Sequence, residues 1–175
     1  MEKMLIVIDM QKDFISGALG TAEAQQIVER VVKKIREFEG EVCYTRDTHQ
    51  ENYLDTQEGK NLPVIHCLEK TQGWQLEPRI QELAEKSHAR IFNKISFGSL
   101  DLAHYAAQKN QKEKIKSIEL IGVCTDICVI SNAMLLKAAL PEVPIFVDSS
   151  CCAGVTPKSH ENALEAMKMC QISVQ

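Results

Sequence analysis

Residues 118–136 read IELIGVCTDICVISNAMLL, and the fold class follows from this stretch. The apolar run Ser117–Gly122 predicts a strand, a tight turn follows it, and residues 125–139 continue as an apolar helical pattern. Strand, turn and helix in that order make half of a βαβ unit, which demands a parallel partner strand. Upstream, Leu100–Asn110 reads as a helix and Ala89–Asn93 as a strand that stops just before Lys94. A helix is expected from Pro78, a residue suited to the first helical position, with Ile80 and Leu83 facing inward. Glu41–Thr45 is a short strand. Residues 22–39 carry Ile27, Val31, Ile35 and Phe38 on one helical stripe, with Gly40 placed to end it. Met4–Asp9 is a continuous apolar run closing on an acid, as in a strand buried on both faces.

Downstream, Val143–Asp148 is a strand, Thr156 and Pro157 begin a helix that runs to about Met169, and Gln171–Val174 is a final strand. Six strands alternating with helices predict an α/β fold: one parallel sheet with right-handed crossovers and helices on both faces. Residues 1–175 read as one domain, without repeat or linker. The irregular stretch 46–74 exceeds an ordinary βα loop, so it is expected to be functional or disordered.

The chain has 175 residues, 45% hydrophobic and 25% charged, enough for a sizeable core. A formal net charge of −4 argues against nucleic acid as a partner. No apolar run nears the roughly 20 residues that span a bilayer, and MEKMLIVIDM reads as a strand rather than a signal peptide. Seven cysteines, an odd number within apolar or helical segments, point to a reducing cytosol rather than a disulfide framework.

In such a sheet, polar residues just past the strands are the functional candidates. Cys128 lies near the first turn of a helix, where free N–H groups and the dipole favour a thiolate and can hold an oxyanion. Position alone leaves this reading level with one in which Cys124 and Cys128 are buried spacers. Asp9 closes the first strand as a desolvated base or as an ordinary turn acid. Lys94 closes another, either paired with Asp9 or solvated. Asp47 and His49, two apart on an extended segment, and His66 after a loop suit zinc or another divalent metal, or are structural histidines.

In order along the chain stand IDMQKDF (8–14), RDTH (46–49), EGKNLPVIHCLEKTQGW (58–74), NKISF (93–97), GVCTDICV (122–129) and DSSCCAGVTPKSHENALEAM (148–167). Together they resemble the isochorismatase-like cysteine hydrolases, the nicotinamidase/pyrazinamidase-like branch in particular, over nearly the whole chain. The resemblance implies an Asp9–Lys94–Cys128 triad, an oxyanion hole of the Cys124 and Cys128 backbone N–H groups, and a cis Val123–Cys124 peptide. It implies metal ligands Asp47, His49 and His66, with Glu58 as the nearest fourth candidate and Asp55 behind it, and zinc as the ion. Phe14, and less directly Phe97, match substrate-pocket aromatics. A tryptophan that several nicotinamidases carry shortly before the metal histidine is missing, since residues 62–66 read LPVIH, and Trp74 is expected to pack elsewhere. The expected activity is amide C–N hydrolysis through a thioester. Nicotinamide leads as substrate, ahead of N-carbamoyl and ureido compounds, and a catalytically silent small-molecule binder is the alternative. Isochorismatases proper cleave a vinyl ether without a cysteine nucleophile, so Cys128 argues against that activity. Relatives commonly form homo-oligomers, which is carried over as analogy.

Overall fold

A computed structural model describes residues 2–175. Strand β1 (Glu2–Ile8) is followed by the single helical turn α1 (Lys12–Ile15), helix α2 (Ala22–Glu37) and strand β2 (Glu41–Asp47). A 3-10 turn at Tyr53–Asp55 leads into the short helix α3 (Gln57–Asn61), then α4 (Pro78–Lys86), β3 (Arg90–Lys94) and α5 (Leu100–Lys112). Strand β4 (Ile115–Val123) enters a wide π-type turn at Thr125–Val129 that runs on as α6 (Ile130–Ala139). Strand β5 (Ile145–Ala153), α7 (Pro157–Met169) and β6 (Ser173–Val174) complete the chain.

The six strands form one sheet in the order β3-β2-β1-β4-β5-β6, every pair parallel. Sequence order reverses direction between β1 and β4, so the crevice at their carboxyl ends is the ligand position of a doubly wound sheet.

The pleat of β1 explains its unbroken apolar run. Met4, Ile6 and Ile8 join a core with Leu102, Ala133 and Leu136 on one face. Leu5 and Val7 join a second core with Val28, Val31 and Ile80 on the other. Helix α2 buries Ile27, Val31 and Ile35 as its stripe predicts, but it ends at Glu37. Phe38 is already extended, and Gly40 turns the chain at φ 157°, against Lys3. Helix α7 opens on a reciprocal capping box between Thr156 and Ser159, an N-cap worth about 1 kcal/mol.

Several boundaries differ from the sequence reading. Strand β3 includes Lys94, because Asp47 of β2 pairs with it in register. Strand β5 starts at Ile145 rather than Val143 and extends to Ala153, since Cys152 and Ala153 pair with Gly122 and Val123 beyond a register shift. Strand β6 shrinks to two residues. The 46–74 stretch is ordered around its two short helical pieces. No helix among the described residues is long and apolar enough to cross a membrane.

Candidate functional site

Asp9, Asp47, Lys94 and the Cys124–Cys128 turn all emerge at the carboxyl edge of the sheet, from β1, β2, β3 and β4 respectively. Lys94 Nζ lies 2.6 Å from Asp9 Oδ2, 3.5 Å from Cys128 Sγ and 3.4 Å from Asp47 Oδ1. It also donates to Ser96 O at 3.1 Å. Asp9 has a left-handed backbone (φ 46°), a conformation aspartate tolerates better than most side chains. Thr45 Oγ1 fixes it by donating to Asp9 Oδ1 at 2.6 Å while accepting from Asp9 N–H at 3.2 Å. The turn that presents Cys128 requires Gly122, whose φ is 117° and where a Cβ would collide with the Ile8 backbone. The Val123–Cys124 peptide is cis.

Burial dominates the electrostatics. It pushes the Asp9 carboxyl up; Lys94 opposes this and Asp47 adds to it. Burial alone would lower Lys94, but Asp9, Cys128 and Asp47 raise it, so the ammonium stays charged. The Cys128 thiol is pushed well up, first by burial and then by Asp9, with Lys94 pulling the other way. Burial thus works against the helix terminus, which by itself favours a thiolate.

The metal candidates converge one step further out. Ligand atoms of Asp47, His49, Glu58 and His66 all lie within 4.8 Å of one another. Asp47 Oδ2 is 2.9 Å from His49 Nε2 and 3.5 Å from His66 Nε2; Glu58 Oε1 is 3.6 and 3.8 Å from the same nitrogens. Four ligands at roughly 2.1 Å around a tetrahedral ion would stand roughly 3.4 Å apart, so these separations suit such an ion. The donor chemistry agrees. His66 Nδ1 lies 2.7 Å from Val64 O, so as the donor there it leaves Nε2 free as a ligand. Burial and Asp47 push the Glu58 carboxyl up, as expected where a cation is wanted. Asp55, the other fourth-ligand candidate, is exposed and outside the cluster.

The backbone brings these ligands together. His49 and Leu68 form an isolated parallel bridge: His49 N–H donates to Cys67 O at 3.0 Å and Glu69 N–H to His49 O at 2.9 Å. Glu58 reaches the cluster because α3 packs tightly on the 3-10 turn, with Gly59 against Tyr53 O where a Cβ would not fit. Phe14 is buried with its ring 5.6 Å from that of His66. Phe97 is 44% exposed on the wall of a depression of about 940 Å3 that Lys94 and Met134 also line. The Arg46 guanidinium lies 3.6 Å from the Trp74 ring, and Trp74 Nε1 donates to Thr48 Oγ1, between Asp47 and His49 in the chain.

Sequence reasoning passed over two residues of IDMQKDF. Gln11 is fully buried. Its Nε2 donates to Asp47 O at 2.9 Å and Trp74 O at 2.8 Å, and its Oε1 accepts from Asp47 N–H at 2.7 Å. Asp13 Oδ2 accepts from Cys67 N–H at 2.7 Å and so holds Cys67 in its left-handed conformation (φ 46°) beside His66. Only their proximity to Asp9 in sequence marked either one. Gln11→Ala strands two buried backbone groups of Asp47 and the part-buried Trp74 carbonyl, and a loss of about 3 kcal/mol in urea unfolding is expected.

The isochorismatase domain family matches residues 3–175, and the chain belongs to that family. An uncharacterized isochorismatase family protein of Bacillus subtilis is 30% identical over 144 residues, 77% of this chain and 78% of that protein. The crystal structure of a Bacillus subtilis nicotinamidase superposes with a TM-score of 0.82 at 28% identity, covering 99% of each chain. A Pyrococcus horikoshii pyrazinamidase in complex with zinc gives 0.80 at 27% identity, over 100% of this chain and 99% of that one. Within the family the chain sits on the nicotinamidase/pyrazinamidase-like branch and is an amidohydrolase.

Proposed function

We propose that the protein hydrolyses the C–N bond of a small amide, nicotinamide first, through a thioester on Cys128. The observation that carries this is the convergence of Lys94 Nζ on Asp9 Oδ2 and Cys128 Sγ at 2.6 and 3.5 Å in a buried crevice. Asp9 takes the thiol proton as the sulfur attacks the amide carbon. The oxyanion lies against the N–H groups of Cys124 and Cys128, first-turn donors without helical acceptors. Collapse breaks the C–N bond, and Asp9 returns the proton to the departing ammonia. Water then gives a proton to Asp9 and its hydroxide to the thioester. The acid leaves and the sulfur regains its proton. Lys94 keeps Asp9 in place and balances the charge beside the sulfur.

Asp47, His49, Glu58 and His66 would hold the metal, with zinc as the leading ion. Bound there, it would supply a Lewis-acid position for a ring nitrogen of the substrate. Phe14, beside His66, would flank the ring, and Phe97 would stand at the mouth. All seven cysteines are free, which supports a reducing, cytoplasmic setting. The homo-oligomer expected by analogy is checked by light scattering.

The test is ammonia release from the zinc-supplemented protein over nicotinamide, pyrazinamide, N-carbamoyl amino acids and ureido compounds. Turnover of the first two is expected. Turnover of carbamoyl compounds alone would move the substrate assignment. No turnover, with Cys128 no more reactive to iodoacetamide than the other cysteines, would make the fold a silent binder. Chelation should raise KM for nicotinamide at least about tenfold, reversed by zinc, because a ligand for the substrate is removed.

A further inference from the structure

Asn132 sits one turn beyond Cys128 on α6 and is fully buried. A buried amide is tolerated only where its polar atoms are paired, so its partners define its role. Its Oδ1 accepts from Ser99 N–H at 2.9 Å, and its Nδ2 donates to Cys128 O at 2.8 Å and to Phe97 O at 3.1 Å. One side chain therefore joins the carbonyl of residue 128 to two points of the loop between β3 and α5. Side-chain packing does little for that loop, in which Ile95 is 85% exposed and Phe97 44%. Its other tether is Lys94 itself, whose ammonium holds Ser96 O. The ammonium and the sulfur thus belong to two chain segments that meet through the Asn132 amide.

We propose that Asn132 is a positioning residue: it brackets the 95–99 loop to the Cys128 turn, keeping Lys94 within reach of Cys128 and Phe97 on the wall of the depression. Its kinetic consequence rests on the reading of Lys94 and Cys128 as reacting groups; its structural consequence does not. No other side chain among the described residues hydrogen-bonds both Cys128 O and the loop backbone.

Asn132→Ser separates the two functions of the amide. A serine hydroxyl can still bond back to Cys128 O within the helix, but it is too short to reach the loop. In the full chain with zinc, amide hydrogen exchange over residues 95–99 is expected to quicken at least about tenfold while β1 and β4 keep their protection. Nicotinamide kcat/KM should fall at least about tenfold, through a lower kcat and a higher KM together. Asn132→Asp, of the same shape but able to donate to at most one of the two carbonyls and only when protonated, should behave likewise and serves if the serine variant does not fold. Unchanged loop exchange in a folded variant overturns the bracket. So does exchange that quickens alike in loop and core strands, which would make Asn132 an ordinary stabilising residue. A loosened loop with unaltered kcat and KM overturns the positioning role. If the wild-type protein turns over none of the four amide classes, it is the proposed function that has failed, and the exchange contrast still decides the bracket.

Discussion

Cys128→Ala is expected to lower turnover at least about 1,000-fold, while Cys124→Ala keeps at least roughly a tenth of it. The two residues share one turn, and their side chains stand in different relations to the charges. Cys128 Sγ faces Lys94 Nζ at 3.5 Å, and Asp9 is among the groups that raise its thiol. The Cys124 thiol is pushed up to about 12, by burial first and then chiefly by Asp126, and only its backbone N–H has a role in the proposed reaction. Truncating Cys128 removes one buried sulfur from a helical segment and should cost about 1–2 kcal/mol, too little to unfold the chain. The check is kcat for ammonia release with circular dichroism on both variants. An active Cys128→Ala beside a dead, folded Cys124→Ala would exchange their roles.

The alternation of strands and helices was readable because burial on both faces leaves an unmistakable mark. Met4–Ile8 is apolar throughout since the pleat sends Leu5 and Val7 into one core and Met4, Ile6 and Ile8 into the other. The far half of β5 left no such mark. Its Ser149 and Ser150 interrupt the apolar run, and Cys152 and Ala153 pair with β4 only after a register shift, which breaks the two-residue period. Helices α1 and α3, of four and five residues, are too short for a 3.6-residue period to register.

The candidate site divides the same way. Asp9, Asp47, Lys94 and Cys128 could be found because the carboxyl ends of parallel strands are where a ligand must sit. Glu58 could be ranked above Asp55 only by resemblance, since which acid turns inward depends on how α3 docks on the Tyr53–Asp55 turn. Gln11 and Asn132 were invisible: a buried amide that replaces backbone pairing has no signature distinct from a solvated one. The helix terminus at Cys128 is legible in the sequence, but the tertiary burial that raises its thiol is not.

Asp9→Asn and Lys94→Met are expected to cripple turnover for different reasons, and the pH profile tells them apart. In Asp9→Asn the amide would keep the shape and the Thr45 contact but could not take a proton from Cys128, so kcat/KM should fall about 100- to 10,000-fold at every pH. In Lys94→Met the carboxylate remains, but the cation 2.6 Å from it is gone. Burial and Asp47 already push Asp9 up, and Lys94 is what opposes them. With the opposition removed, Asp9 holds its proton to higher pH and is a base only above that point. The acid limb of kcat/KM should therefore move upward in Lys94→Met, with part of the activity recovered as pH rises. The same substitution breaks a buried ion pair and should cost about 3–5 kcal/mol, so kinetics must be measured well below the midpoint of thermal unfolding. An acid limb unmoved in a folded Lys94→Met protein would mean that Lys94 does not set the protonation of Asp9, and the pairing of the two in the reaction would be wrong.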